Sequence, residues 1–466
     1  MLASLSISRT TLTIWTLVVL TPVGLLGCDT NGSYEAPDAS LDASNDVADI
    51  TPDTAPQTIL PGVYPVDTID FDAETAAFAP LVALSEQADI IGLGETIHYS
   101  DGYSDARAKM IRVLVEDAGL RTVAFEGSWA TASSTRSYLL GEHDSIDRAM
   151  SGLQFSAWFA DANRELLMWL RQRNDSNPDD KVTIFGFDVQ DPVGSGNRIR
   201  AAAKTLDDPQ LNTLIEDLPS CPGAGFESRQ ALREDAQEVE LLRAERALPD
   251  ERDSTCESFL DEARAWVMSQ GNALTTLLGN TGAATFRVAL RSLRALLEMN
   301  RSSSNNDYNG AYNARDEAMA DVFDLLRPVY ADDGRVVFFG HNSHVMRNSD
   351  AIVIRGGRQK SIGSWLAERH EDAYAPVGLF AHEVAWNWPN RVGRGDWTPR
   401  EDESVEAILN SLEEQYLFVD LMEATSRRSI FEEGRPYQMG HAPPKTGKPA
   451  DHFDALFFMD SSQARP

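Results

Sequence analysis

In Asp89-Ile-Ile-Gly-Leu-Gly-Glu-Thr-Ile-His98 a short apolar run stops at a carboxylate and a histidine. The pattern recurs along the chain. Arg121-Thr-Val-Ala-Phe125 stops at Glu126, Lys181-Val-Thr-Ile-Phe-Gly-Phe187 at Asp188, and Arg335-Val-Val-Phe-Phe-Gly340 at His341 and His344. Further runs are Ala375-Pro-Val-Gly-Leu-Phe380, Tyr416-Leu-Phe-Val-Asp420 and Ala455-Leu-Phe-Phe458. Runs this short, apolar throughout rather than alternating, suit strands buried on both faces, as in a parallel sheet. Between the early runs, 106–118 and 164–173 carry apolar residues at helical spacing: Met110, Val113 and Leu114, then Leu166, Leu167 and Leu170. Strand alternating with helix predicts an α/β fold with a mostly parallel central sheet flanked by helices.

The rhythm breaks from about 198 to 330. This stretch is rich in Ala, Leu, Glu and Arg and lacks a strand-like run. Helices are expected over 231–248, 258–278, 285–299 and 316–326. The stretch reads as a large helical insertion between two strands, serving as a cap or lid over the site, or as a separate helical domain.

Lys plus Arg total 41 against 72 Asp plus Glu, a net charge of −31 over 466 residues. That balance argues against nucleic acid as a partner, because phosphate recognition needs a basic footprint. Residues 1–28 hold one charge, Arg9, then an apolar stretch from Leu12 to Leu26 broken by Pro22. This is short for a membrane-spanning helix and reads as an export signal. It ends Leu25-Leu26-Gly27-Cys28, a tetrapeptide that resembles the bacterial lipobox, with Cys28 as the lipidated residue; a plain signal or an uncleaved anchor is the alternative. Residues 29–62 carry seven acids and no Lys or Arg, and read as an acidic disordered linker. The folded domain is then 63–466, exported, in the cell envelope and held to a membrane by its lipid alone. Export permits a disulfide between Cys221 and Cys256.

In open α/β sheets ligands bind at the carboxyl ends of the strands. Each residue at such an end has a bland reading: a His is more often packed or at the surface, and a Glu often caps the next helix. The coincidence of several ends favours a site. Competing chemistry is missing from the sequence. There is no Gly-x-Ser-x-Gly elbow, no His-Glu-x-x-His, and Gly447-Lys448 is followed by Pro449 rather than by Ser or Thr. What remains is His and carboxylate chemistry on water, with or without a metal.

Gly94-Glu95-Thr96-Ile97-His98, then Arg107, Phe125-Glu126, Gly186-Phe187-Asp188 and His341-Asn342-Ser343-His344 resemble the erythromycin esterase family. The Arg315-Asp316-x-x-Met319 stretch and the closing Phe453-Asp454-Ala455-Leu456 resemble family segments too. The resemblance implies hydrolysis of a macrolide lactone ester by an activated water, an activity tied to antibiotic resistance, with no metal cofactor. It implies His98 as general base, Glu95 and Glu126 as site acids, Arg107 as the site arginine, and His341 and His344 beside the reacting ester. Distant relatives of the fold imply the alternative, a divalent metal held by Glu95, His98, Glu126 and one of His341 or His344. One departure stands out: the family commonly has Gly or a small residue after the motif histidine, where this chain has Tyr99.

In physical terms His98 can take a proton from water near neutral pH. Glu95 can orient its ring, and Arg107 can pair with Glu95 or Glu126. His341 and His344 can donate to an oxyanion. Trp129, Tyr308 and Tyr312 are candidate substrate-binding walls. Asp188 reads as either a supporting partner or a cap, and Arg315 with Asp316 as a structural ion pair. The substrate class is a small-molecule ester or lactone; a non-catalytic lipid-anchored binding protein is the remaining alternative.

Overall fold

The computed structural model describes residues 60–465, apart from 75, 227–249, 352, 355–356, 388–393, 398–402, 425–430, 432–433 and 440–444. The export signal, Cys28, most of the linker and the helix expected over 231–248 lie outside the described residues. The described strands are β1 (Val63–Pro65), β2 (Ile90–Leu93), β3 (Thr122–Ser128), β4 (Thr183–Asp188), β5 (Val336–Phe339), β6 (Val353–Ile354), β7 (Gly357–Arg358), β8 (Tyr374–Asn387), β9 (Arg394–Trp397), β10 (Tyr416–Asp420), β11 (Arg435–Tyr437), β12 (Lys445–Gly447) and β13 (Ala455–Ser462). One nine-stranded sheet runs β1-β10-β13-β8-β2-β5-β3-β4, with β9 paired on β8. From β13 to β4 every neighbouring pair on that path is parallel; β10, β1 and β9 join antiparallel.

The apolar runs become strands because both of their faces are covered. After β2 the chain moves outward through the helices Asp101–Glu116 and Asp161–Ser176 to β3 and β4, then turns back to β5 and β8. Right-handed crossovers in opposite directions put their helices on opposite faces. Accordingly Ile91, Leu93, Val123, Phe125 and Phe339 pack with the first two helices. Ile90, Ala124, Phe185, Phe187 and Phe338 pack with the later ones. Local signals set the helix ends. Gly119 at φ +69° follows Asp101–Glu116, and Leu120 N–H returns to the Leu114 carbonyl, the usual glycine stop. Asp191 accepts from Gly194 N–H at 3.0 Å and precedes Pro192, which starts the Pro192–Leu206 helix.

The helical insertion is present between β4 and β5. Its long helices are Asp250–Gln270, Ala273–Ser304 and Tyr308–Tyr330. They form a layer on the sheet, with Phe323 packed on Phe185, Phe187 and Phe338. The first turns of Tyr308–Tyr330 lean over the strand ends and bring three side chains to the site. Cys221 and Cys256 are joined as a disulfide, tying the Asp250–Gln270 helix to the turn after Ile215–Ser220. No described helix is long and apolar enough to cross a membrane.

Candidate active site

β2, β5 and β3 are neighbours, and their carboxyl ends carry Glu95, His98, Glu126, His341 and His344. The turn in chain direction after β4 places β5 between β2 and β3, so residues far apart in sequence meet here. Asn342 sets the spacing. Its side-chain amide donates to Thr96 Oγ1 at 3.1 Å and to the Leu379 carbonyl at 2.9 Å, joining the ends of β2 and β8. It sits so close to Gly94 that a Cβ there would lie 1.8 Å from Asn342 Oδ1. Glycine at 94 is therefore a matter of space.

Two charge relays form. In the first, His98 Nδ1 lies 2.5 Å from Glu95 Oε1, and Arg107 Nη1 donates to Glu95 Oε2 at 2.5 Å. Arg107 is fully buried, its guanidinium 4.9 Å from the Trp158 ring and 4.7 Å from Phe339. Burial pushes the Glu95 carboxyl up, but Arg107 and the bond from His98 outweigh it, and the group stays below its ordinary value. Glu95 therefore fixes the proton of a neutral His98 on Nδ1. That leaves Nε2 as the basic edge of a ring whose side chain is 23% exposed.

In the second relay Glu126 Oε1 accepts from Arg315 Nη2 at 2.8 Å, and Oε2 accepts from the His341 backbone N–H at 3.0 Å. The same Arg315 nitrogen donates to Asp188 Oδ2. His344 has Asp316 Oδ1 at 2.7 Å from Nδ1, Arg315 Nη1 at 3.1 Å from Nε2, and the Tyr312 ring stacked at 5.1 Å. Burial drives Glu126 upward, but the facing His344 and Arg315 reverse this, and its carboxyl is held far below the ordinary range. Burial opposes a charge on His344, yet Asp316 and Glu126 together lift it above its ordinary value.

His341 joins the relays. Its ring lies 5.1 Å from the His98 ring. Its Nδ1 accepts the Ser343 backbone N–H at 3.1 Å, capping the short Asn342–Val345 helix. A neutral His341 therefore carries its proton on Nε2.

Several sequence expectations take a definite form. Arg107 pairs with Glu95 rather than Glu126. Asp188 acts as a supporting partner of Arg315 rather than as a helix cap: the cap of the next helix is Asp191, and Asp188 Oδ1 accepts from Gln190 N–H at 2.9 Å in the turn before it. Arg315 and Asp316 were expected to pair with each other; instead Arg315 serves Glu126 and Asp188, and Asp316 serves His344. Consecutive helical residues point about 100° apart, so each finds its own partner. Tyr312 lies in the second relay. Tyr308 is exposed and outside both. Trp129 is buried against the insertion, donating to Ser292 Oγ at 3.0 Å, and lines a separate small cavity with Arg136 and Tyr330. Trp158, which packs on both His98 and Arg107, carries no motif that sequence reading could use. Among the described residues no three of His, Cys, Asp and Glu converge as metal ligands.

The family model described as "Erythromycin esterase" matches residues 115–462. The match includes Glu126, Arg315, His341 and His344; Glu95, His98 and Arg107 precede it. A protein named as a putative hydrolase, YbfO of Bacillus subtilis (strain 168), is 20% identical over 354 residues, covering 73% of this chain and 75% of its own. Erythromycin esterase type I of Escherichia coli is 25% identical over 315 residues, covering 63% and 70%. Among solved structures, a mutant of the erythromycin esterase EreC in its open conformation superposes with a TM-score of 0.66 at 18% identity, covering 87% of this chain and 98% of that one.

Proposed function

We propose that this chain, which belongs to the erythromycin esterase family, cleaves an ester or lactone bond with a water activated by His98. The observation that carries the reading is the His98–Glu95–Arg107 relay, with the His341 ring 5.1 Å from the His98 ring. His98 Nε2 takes a proton from water as the water oxygen attacks the ester carbonyl carbon. Glu95 stabilises the resulting imidazolium, and Arg107 keeps Glu95 ionised. The negative charge on the carbonyl oxygen meets the His341 Nε2–H. The intermediate then collapses: the carbon–oxygen bond to the alcohol breaks, and the proton on His98 passes to the leaving oxygen. Glu126 holds the His341 backbone and is itself held by His344 and by Arg315, whose same nitrogen also binds Asp188. His344 has both ring nitrogens occupied by protein groups, which suits it to positioning.

A screen over small esters, simple lactones and macrolides tests this. Turnover of an ester or lactone, unchanged after exhaustive chelation, is the expected result. A chelator-sensitive rate restored by Zn²⁺ or Mn²⁺ supports the metal-dependent alternative, and no turnover of any member supports a binding protein. The name of one relative, erythromycin esterase type I, favours an ester; which one is an outcome of the screen.

The proposed location is the cell envelope, with Cys28 lipidated. The lipobox-like sequence and the disulfide of the domain support export. Cys28→Ser is expected to move the protein from the membrane fraction to the soluble one without loss of fold; unchanged membrane association would overturn the lipid anchor.

A further inference from the structure

Tyr99 directly follows His98, and its backbone has φ +66°, a conformation that bulky side chains rarely adopt. Such residues persist only where the surroundings over-determine them. Here the surroundings are the end of β8, the end of β13 with the residues after it, and the Ser156–Trp158 turn. The Tyr99 carbonyl accepts the backbone N–H of Arg465 at 3.2 Å and of Asn387 at 3.3 Å. The Arg465 guanidinium carbon lies 5.7 Å from the Tyr99 ring centroid. The same side chain donates to Asp101 Oδ1 at 2.9 Å, the Ser156 carbonyl at 3.1 Å and the Ala157 carbonyl at 3.2 Å. The Tyr99 hydroxyl lies 2.9 Å from Ser156 Oγ. Around this point Ser100 Oγ meets Ser462 Oγ at 2.6 Å, and Asp101 N–H donates to the Gln463 carbonyl at 2.8 Å.

Arg465 thus touches two segments at once, the loop leaving His98 and the Ser156–Trp158 turn. Trp158 in turn packs on His98 at 5.4 Å and on Arg107 at 4.9 Å. We propose that Arg465 is a positioning residue, which holds Tyr99 in its left-handed conformation against the Ser156–Trp158 turn and so fixes the His98 ring on Glu95. The inference rests on His98 being the base. It is specific to a chain with a bulky residue at 99, because glycine adopts this backbone without strain.

The test is a cycle of wild type, Arg465→Ala, Tyr99→Gly and the double variant, with p-nitrophenyl acetate as probe and hydrogen exchange of the Asp101 amide read alongside. Misplacing a catalytic group by about 1 Å costs up to ~10²-fold. Arg465→Ala should therefore lower kcat about 10- to 100-fold with KM changed less than about twofold, and speed Asp101 exchange about tenfold or more. In the Tyr99→Gly background the same change should lower kcat less than about twofold, since the strain it opposes is gone. Arg465→Lys, which cannot fork to two carbonyls, should behave as Arg465→Ala and replaces it if the alanine variant does not fold. Equal losses in both backgrounds, or no loss in either, would overturn the proposal. If the wild type does not turn over the probe, the esterase reading fails for that substrate, and the exchange cycle alone decides whether Arg465 holds the loop.

Discussion

Arg107→Met isolates the electrostatic heart of the first relay. Arg107 and Glu95 have side-chain exposures of 0% and 2%, and their charged atoms lie 2.5 Å apart. Solvent therefore does little to soften the loss of one partner. Removing one member of a buried ion pair typically costs about 3–5 kcal/mol, because the other charge is left uncompensated. Met keeps part of the volume between Trp158 and Phe339, so most of the defect is electrostatic. Without Arg107, burial dominates at Glu95 and lifts its pKa above the unfolded value. A raised acid pKa destabilises progressively as pH climbs past about 4.5, the ordinary value for Glu. Urea unfolding should thus show a larger defect at pH 8 than at pH 4.5. The double variant Arg107→Met/Glu95→Gln should recover at least half of the pH 8 loss, since the stranded charge is gone. Activity should fall at least about tenfold, because a protonated Glu95 no longer stabilises the imidazolium. Equal defects at both pH values, or no recovery in the double variant, would refute the electrostatic account.

Two further outcomes follow from the structure. The Cys221–Cys256 bond spans 35 residues, and closing such a loop removes about 4 kcal/mol of unfolded-chain entropy, so Cys221→Ser/Cys256→Ala should lower unfolding stability by about 2–4 kcal/mol. An unchanged urea midpoint would contradict it. Stability should peak in mildly acidic solution. Glu95 and Glu126 have depressed pKa values, so their contribution is present above about 4.5 and is lost as pH falls through their folded values. His344 is raised, so its contribution is full below 6.5 and is lost as pH rises through its folded value. Buried Glu406, pushed up by burial to about 7, adds to the loss between 4.5 and 7. Thermal melts from pH 3 to 9 check this, and Glu406→Gln should flatten the neutral side; a maximum above pH 8 would contradict the assignment.

Much of the fold was legible because the sheet is parallel and doubly covered. Strands buried on both faces must be apolar throughout, and the seven apolar runs all became strands of the main sheet. Their polar stops at 95, 98, 126, 188, 341 and 344 mark the carboxyl edge, where the site forms. Pairing was less legible. Nothing in the residues before β5 says that it inserts between β2 and β3, so the division into two relays emerges only in three dimensions. Arg315 and Asp316 looked like a pair because they are adjacent, but helical geometry sends them to different partners. Tyr99 shows the opposite case: the departure was visible in the sequence, and its meaning, a left-handed backbone carried by a bulky residue, was not. Aromatic residues were the poorest guide. Tyr312, Tyr308 and Trp129 look alike in sequence and end in the relay, at the surface and in a separate cavity.

The central claim is that His98 takes the proton from the attacking water, and kcat of His98→Asn on the first ester or lactone turned over tests it most directly. Asn keeps a similar size and a hydrogen bond to Glu95 but accepts no proton near neutral pH. General-base catalysis typically contributes about 10²–10⁴-fold, so kcat should fall by at least about 10²-fold with KM little changed. A variant that keeps kcat within about threefold of wild type would contradict the account.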